Sequence, residues 1–181
     1  MTTHRRGSRL AIRGSLQQRL RGAGCVLVVT LVAGAPYRFE HSRFFAPIDW
    51  TVRFLAYTDP TGPVKQPQAF EKQVTGLPVK TVTTDRLHYV TGRAIEQGVS
   101  RDRFAVVAEG TAKLPTGDYV LRAISDDGVR VWVDDALELD SWEPYESKVG
   151  SVPLDGGERL FKVQYFEVGG FAELRFDIQR R

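Results

Sequence analysis

The sequence predicts an all-β protein, an antiparallel β-sandwich, on three observations. Apolar and polar residues alternate in short stretches, clearest in Val129-Arg130-Val131-Trp132-Val133. Turn residues recur at intervals of about 8–12 positions. No amphipathic helix longer than three turns is evident in the body of the chain. With 181 residues, 42% hydrophobic and 26% charged, the chain fits one ordinary globular domain plus an extension, and can bury a core without disulfides.

The elements follow in order. Trp50–Tyr57 is rich in β-branched and aromatic residues and reads as the first strand, ended by Asp59-Pro60-Thr61-Gly62-Pro63. Residues 60–80, rich in Pro, Gln and Lys, read as a long surface loop with one helical turn around Gln68–Gln73. Arg86–Val90 is a second strand. Asp102 and Arg103 then read as an ion pair or a cap ahead of Phe104–Leu114, which runs to the turn Pro115-Thr116-Gly117. Asp118–Ile124 leads into Asp126-Asp127-Gly128. Val129–Val133 reaches a turn at Asp134-Asp135, with a short strand through Leu139. Lys148–Leu154 precedes Asp155-Gly156-Gly157, Leu160–Glu167 precedes Gly169-Gly170, and Phe171–Ile178 closes the domain. Alternation puts Val129, Val131 and Val133 on one face, and Leu174, Phe176 and Ile178 on one face. Trp50 and Trp132 read as core or sheet-face residues.

Charge divides the chain at about residue 35. Arg5, Arg6, Arg9, Arg13, Arg19 and Arg21 precede it without any acid; setting them aside leaves 19 basic against 22 acidic residues, a body of about −3. This gives no case for a nucleic-acid partner. The basic segment ends in Cys25-Val-Leu-Val-Val-Thr-Leu-Val-Ala-Gly-Ala35, an apolar run of signal-peptide length and short for a membrane span. Residues 1–35 are therefore expected to be a leader, a signal peptide or anchor, and residues 36–181 the domain. The expected location is extracytoplasmic (secreted, periplasmic or cell surface), with membrane contact only through an uncleaved leader. A mis-assigned start or a Val-rich first strand is the other reading of this segment. Cys25 is the only cysteine, so the body holds no intramolecular disulfide or thiolate metal site.

Two readings stand at Asp126-Asp127. Asp-Asp-Gly is a good turn sequence, in which aspartates bond local amides and glycine is free to take positive φ. Two adjacent carboxylates are also a hard-oxygen cluster of the kind calcium prefers. Asp134-Asp135 reads as a turn alone. Trp142 and Tyr145, around Glu143-Pro144, read either as an aromatic platform for a sugar face or, for the tryptophan, as an edge of the core.

The segments Phe104-Ala-Val-Val-Ala-Glu-Gly110, Leu114-Pro-Thr-Gly-Asp-Tyr119, Ser125-Asp-Asp-Gly-Val-Arg-Val-Trp-Val-Asp134, Asp140-Ser-Trp142, Leu154-Asp-Gly-Gly157, Val163-Gln-Tyr-Phe-Glu167 and Gly170-Phe-Ala-Glu-Leu174 occur in that order. Together they resemble the protective-antigen (PA-fourteen) domain family over roughly 45–180. The resemblance implies a lectin-like β-sandwich module of toxins, glycosidases, adhesins and flocculins. It also implies that in carbohydrate-binding members two adjacent aspartates joined by a cis peptide ligate calcium, which in turn ligates sugar hydroxyls. Asp126 and Asp127 occupy that place. Glu167 stands where the lectins have asparagine, and the carbonyls of Gly169 and Phe171 complete the implied metal set. Asp126, Asp127, Trp142, Tyr145 and Phe171 form the implied carbohydrate site.

Catalysis is not expected. Adjacent carboxylates on one turn cannot flank a glycosidic bond, so Glu167 would have to face one of them across a cleft. His4 lies in the leader, His41 and His88 have no flanking nucleophile motif, and no P-loop, dinucleotide-binding or nucleophile-elbow pattern occurs. The expectation is a non-catalytic carbohydrate-binding module with calcium as cofactor and a glycan as partner. The alternative is a structural or protein-interaction sandwich that binds neither metal nor sugar.

Overall fold

Phe104–Asp126 and Lys148–Glu167 are each one continuous strand, where the turn residues at 115–117 and 155–157 predict two strands apiece. The computed structural model describes residues 47–56 and 67–181. The leader 1–35, Cys25, His4, His41 and the turn at 59–63 lie outside the described residues. The elements are β1 (Asp49–Ala56), α1 (Pro67–Val74), β2 (Lys80–Thr84), β3 (His88–Thr91), β4 (Phe104–Asp126), β5 (Val129–Val133), β6 (Ala136–Ser141), β7 (Lys148–Glu167) and β8 (Ala172–Arg180).

β4 and β7 pair antiparallel along their whole length, from Phe104↔Glu167 to Ser125↔Lys148, with one irregularity between Leu114 and Asp118. The two strands bend together there. Gly156 lies so close to the opposing corner that a Cβ would sit 2.2 Å from the Pro115 carbonyl oxygen. Proline, which cannot complete a ladder, and glycine, which permits close approach, thus mark a corner where a paired ribbon changes layer. Before the corner β4 pairs with β1, and after it with β8. The layers are β2-β1-β4-β7-β5-β6 and β3-β8-β4-β7, each using one half of both long strands.

The core lies between the layers. Trp50 of β1 meets Phe176 of β8 edge-on at 5.1 Å, Phe54 meets Tyr89 at 5.7 Å, and Phe161 meets Phe176 at 5.4 Å. Val129, Val131 and Val133 are buried on one face of β5, and Leu174, Phe176 and Ile178 on one face of β8, as alternation predicts. Residues 104–108 are buried on both faces. Their second face is covered by α1, whose Phe70 and Val74 join Leu55, Ala105, Val107, Trp142 and Phe166 in a separate apolar cluster. β2 lies just past the expected surface loop. Its Lys-Thr-Val-Thr-Thr sequence offers only Val82 to the core, so no apolar stripe reveals it.

Asp126-Asp127-Gly128 does not close a hairpin. β5 pairs with β6 and β7, whereas β4 pairs with β1, β7 and β8. The segment carries the chain from one layer to the other at the end of the sandwich. Asp134-Asp135 is the true hairpin tip, with φ of 49° and 66° between Val133 and Ala136, the two-residue geometry that follows strand twist.

Candidate functional site

Four segments meet at the end of the sandwich where β4 stops. They are the 126–128 crossover, the β6–β7 loop, the β7–β8 loop and the residues that precede β4. Gly128 is fixed by close approach and has no positive φ. A Cβ there would lie 2.2 Å from Cε1 of Phe166, whose backbone N–H donates to the Gly128 carbonyl at 3.1 Å. The ring of Phe166 thereby seats the crossover against β7.

Asp126, Asp127 and Glu167 converge, with one carboxylate oxygen of each lying within 4.8 Å of the others. The 126–127 peptide is cis. Asp127 and Glu167 are buried and Asp126 is half-buried, so the cluster reaches solvent along Asp126. The N–H of Val168 donates to Asp127 Oδ2 at 2.8 Å, and the N–H of Tyr145 also donates to this carboxylate. The N–H of Gly169 donates to Glu167.

Burial pushes all three carboxyls up. Asp126 is raised further by Asp127, Glu173 and Glu146. Burial raises Asp127 against the lowering effect of its two backbone donors. Glu167 is pushed from 4.5 to about 8, first by burial and then by the charges of Asp127 and Asp126, with the Tyr165 bond opposing. The Tyr165 hydroxyl stands between the Asp126 carbonyl and Glu167 Oε2, the latter at 2.5 Å. A phenol has one proton to give. When Glu167 is protonated, its O–H donates to the phenol oxygen and the phenol donates to the Asp126 carbonyl, so both contacts of the phenol are made with the protons available. Burial and Glu167 raise the Tyr165 phenol as well, keeping it neutral.

The site residues expected from sequence divide clearly. Asp126, Asp127 and Glu167 are brought together. Gly169 and Phe171 lie in the adjoining β7–β8 loop, and the Phe171 side chain is 47% exposed. Tyr145 stands beside the cluster, its hydroxyl donating to the Ser141 carbonyl at 3.0 Å and lying 3.1 Å from Ser125 Oγ. Trp142 is not at the lip. It is 9% exposed, packed edge-on against Phe70 at 4.6 Å and Phe166 at 4.7 Å, with the Arg130 guanidinium 4.4 Å from its ring centre. Its apolar bulk finds a better place in the cluster under α1 than in water. Trp132, on the opposite face of β5 from the core valines, carries Lys162 at 4.9 Å.

The sequence reading missed Tyr165, Glu173 and the role of Asp102. Alternation along β7 puts Val163, Tyr165 and Glu167 on one face, so period two alone places a phenol next to the buried acid. Glu173 pairs across from Asp126 and is held by the Ser147 hydroxyl and Arg175. Asp102 pairs with Arg101 at 3.8 Å and not with Arg103, and it accepts the Gly170 N–H at 3.1 Å.

A family model described as "PA14 domain" matches residues 51–179. No functionally curated protein matches the chain. Among solved structures, an anti-sigma factor domain-containing protein from Clostridium clariflavum aligns at 18% identity and TM-score 0.61, over 77% of this chain and 45% of that one. This chain therefore spans less than half of that relative. A "PA14 sugar-binding domain from RTX adhesin" aligns at 14% identity and TM-score 0.54, over 75% of this chain and 91% of that one. The epithelial adhesin 9 A domain from Candida glabrata, solved with Galb1-3GlcNAc, aligns at 10% identity and TM-score 0.52, over 76% of this chain and 87% of that one. At these identities the structures speak for the fold alone, while the family model spans most of the chain: this protein belongs to the PA14 domain family.

Proposed function

We propose that the domain is a carbohydrate-binding module without catalysis of its own, and that Asp126, Asp127 and Glu167 hold a calcium ion at its ligand-binding end. The observation that carries this reading is the convergence on one centre of three carboxylates from the end of β4, the residue after it and the end of β7. Two oxygens on one calcium, each at about 2.4 Å, can lie no more than about 4.8 Å apart, and this cluster meets that limit. Calcium takes six to eight oxygens, and when bound here it supplies open positions for a pair of adjacent sugar hydroxyls. The chain's own residues position and screen. The Val168 and Tyr145 amides orient Asp127, Gly169 orients Glu167, and Phe171 offers an exposed apolar surface for a sugar ring. The carboxylates share one centre instead of facing each other across a cleft, which favours binding over glycoside hydrolysis. The adhesin relatives add support for a glycan ligand and for an exported or cell-surface setting. Among the described residues no helix is long and apolar enough to cross a membrane.

One observation favours a second reading, a structural or protein-interaction module: Asp127 already accepts two backbone N–H groups and so ties the loops without an ion. Calorimetric titration of calcium into wild type and the Asp126→Ala/Asp127→Ala variant separates the two. Binding that the double variant loses, and a calcium-dependent rise in melting temperature, support the lectin reading. Wild type with neither heat nor a melting shift refutes it. A glycan array with and without chelator then identifies the sugar.

A further inference from the structure

We infer that Asp102 is a positioning residue that sets the β7–β8 loop of the binding site before any ligand arrives. The inference rests on the reading of Asp126, Asp127 and Glu167 as the ligand-binding cluster, and concerns a residue outside it. Three successive backbone amides of the loop are each taken by a different carboxylate: Val168 by Asp127, Gly169 by Glu167 and Gly170 by Asp102. The first two belong to the cluster, so their hold on the loop changes when their oxygens turn to a cation. The third does not.

Asp102 grips its target from several sides. Its Oδ1 accepts the Gly170 N–H at 3.1 Å, and its carboxylate lies beside Gly169, where a Cβ would meet it at 3.6 Å. Arg101 completes the clamp, with Nη2 3.5 Å from the Gly170 carbonyl and Nε 3.8 Å from Asp102 Oδ1. Gly170 has φ of +109°, a conformation closed to most side chains, so the loop turns sharply just where Asp102 holds it. The next residue along the clamp, Arg103, is itself left-handed at φ +56°. A non-glycine residue in that region persists only when its surroundings fix it. The chain before β4 thus bends out of its easiest path, and the bend brings Asp102 under the loop that carries Gly169 and Phe171.

A hydrogen bond to a charged acceptor contributes enough that its loss weakens a coupled binding step by about tenfold. The test uses the full chain as wild type, Asp102→Ala and Asp102→Asn, with two measurements. Backbone amide hydrogen exchange at Gly170 is followed in chelator, and calcium affinity is followed by calorimetry. In Asp102→Ala, Gly170 exchange should quicken about tenfold without calcium, and calcium affinity should fall by up to about tenfold. Asp102→Asn keeps an oxygen for the same N–H and should restore most of both. An alanine variant that matches wild type in both measurements overturns the inference, as does a loss that asparagine does not restore. If wild type itself binds no calcium, the reading of the cluster fails, and the exchange measurement alone then decides whether Asp102 holds the loop.

Discussion

Replacing Glu167 by glutamine should flatten the pH dependence of stability of the calcium-free domain. Glu167 is fully buried and sits at about 8 against an ordinary 4.5. Below 4.5 both folded and unfolded chains hold the proton, and its contribution to stability is fully present. Between 4.5 and about 8 the unfolded chain releases the proton while the folded chain keeps it, so stability falls by about 1.4 kcal/mol per pH unit. Above about 8 both are ionised and the loss is complete, with a ceiling on the order of 5 kcal/mol. For a domain of this size that is a fall in melting temperature on the order of 10 °C. Glutamine imitates the protonated acid: its N–H can donate to the Tyr165 phenol, which still donates to the Asp126 carbonyl. Calorimetric melting in chelator at pH 5, 6, 7 and 8 should therefore give a falling wild-type profile and a flatter Glu167→Gln profile. Calcium should reverse the trend for wild type, because binding expels the proton and so strengthens as pH rises through the same window. Parallel profiles for the two proteins in chelator would refute the reasoning.

Gly128→Ala drives a methyl to within 2.2 Å of Phe166 Cε1, and chemical denaturation should show a loss of about 1–3 kcal/mol. Trp142→Ala removes a ring held between Phe70, Phe166 and Arg130, and should cost about 3–5 kcal/mol in the same measurement. Because that ring packs under α1 against Phe70 and Phe166, calcium affinity of the Trp142→Ala variant, measured below its melting temperature, should stay within about twofold.

Much of the fold is legible locally. Val129–Val133 and Leu174–Ile178 state their buried faces by alternation, and Pro115-Thr116-Gly117 and Asp155-Gly156-Gly157 mark departures from straight strand. What these markers do depends on their partners. Each motif reads as a chain reversal until Leu114 is seen opposite Gly157 and Asp118 opposite Asp155, when both become one corner in a paired ribbon. The edge strand Lys80–Thr84 escapes because its neighbour β1 is recruited by distant β4, leaving Thr and Lys with little apolar work to signal them. Trp142 is ambiguous for a related reason. An aromatic residue suits a lip or a core, and the arrival of α1 over residues 104–108 decides for the core.

The sequence by itself determined the fold class, the faces of the strands and the place of the acidic pair, because propensity and period-two patterning are properties of near neighbours. Only the tertiary structure decided that Asp126-Asp127 bridges two layers, and that Asp127 meets Val168 41 residues on and Asp102 meets Gly170 68 residues on. It also decided that burial and the neighbouring Asp127 and Asp126 push Glu167 up from the range of an ordinary glutamate. Burial and charge crowding are properties of space, and no stretch of chain carries them alone.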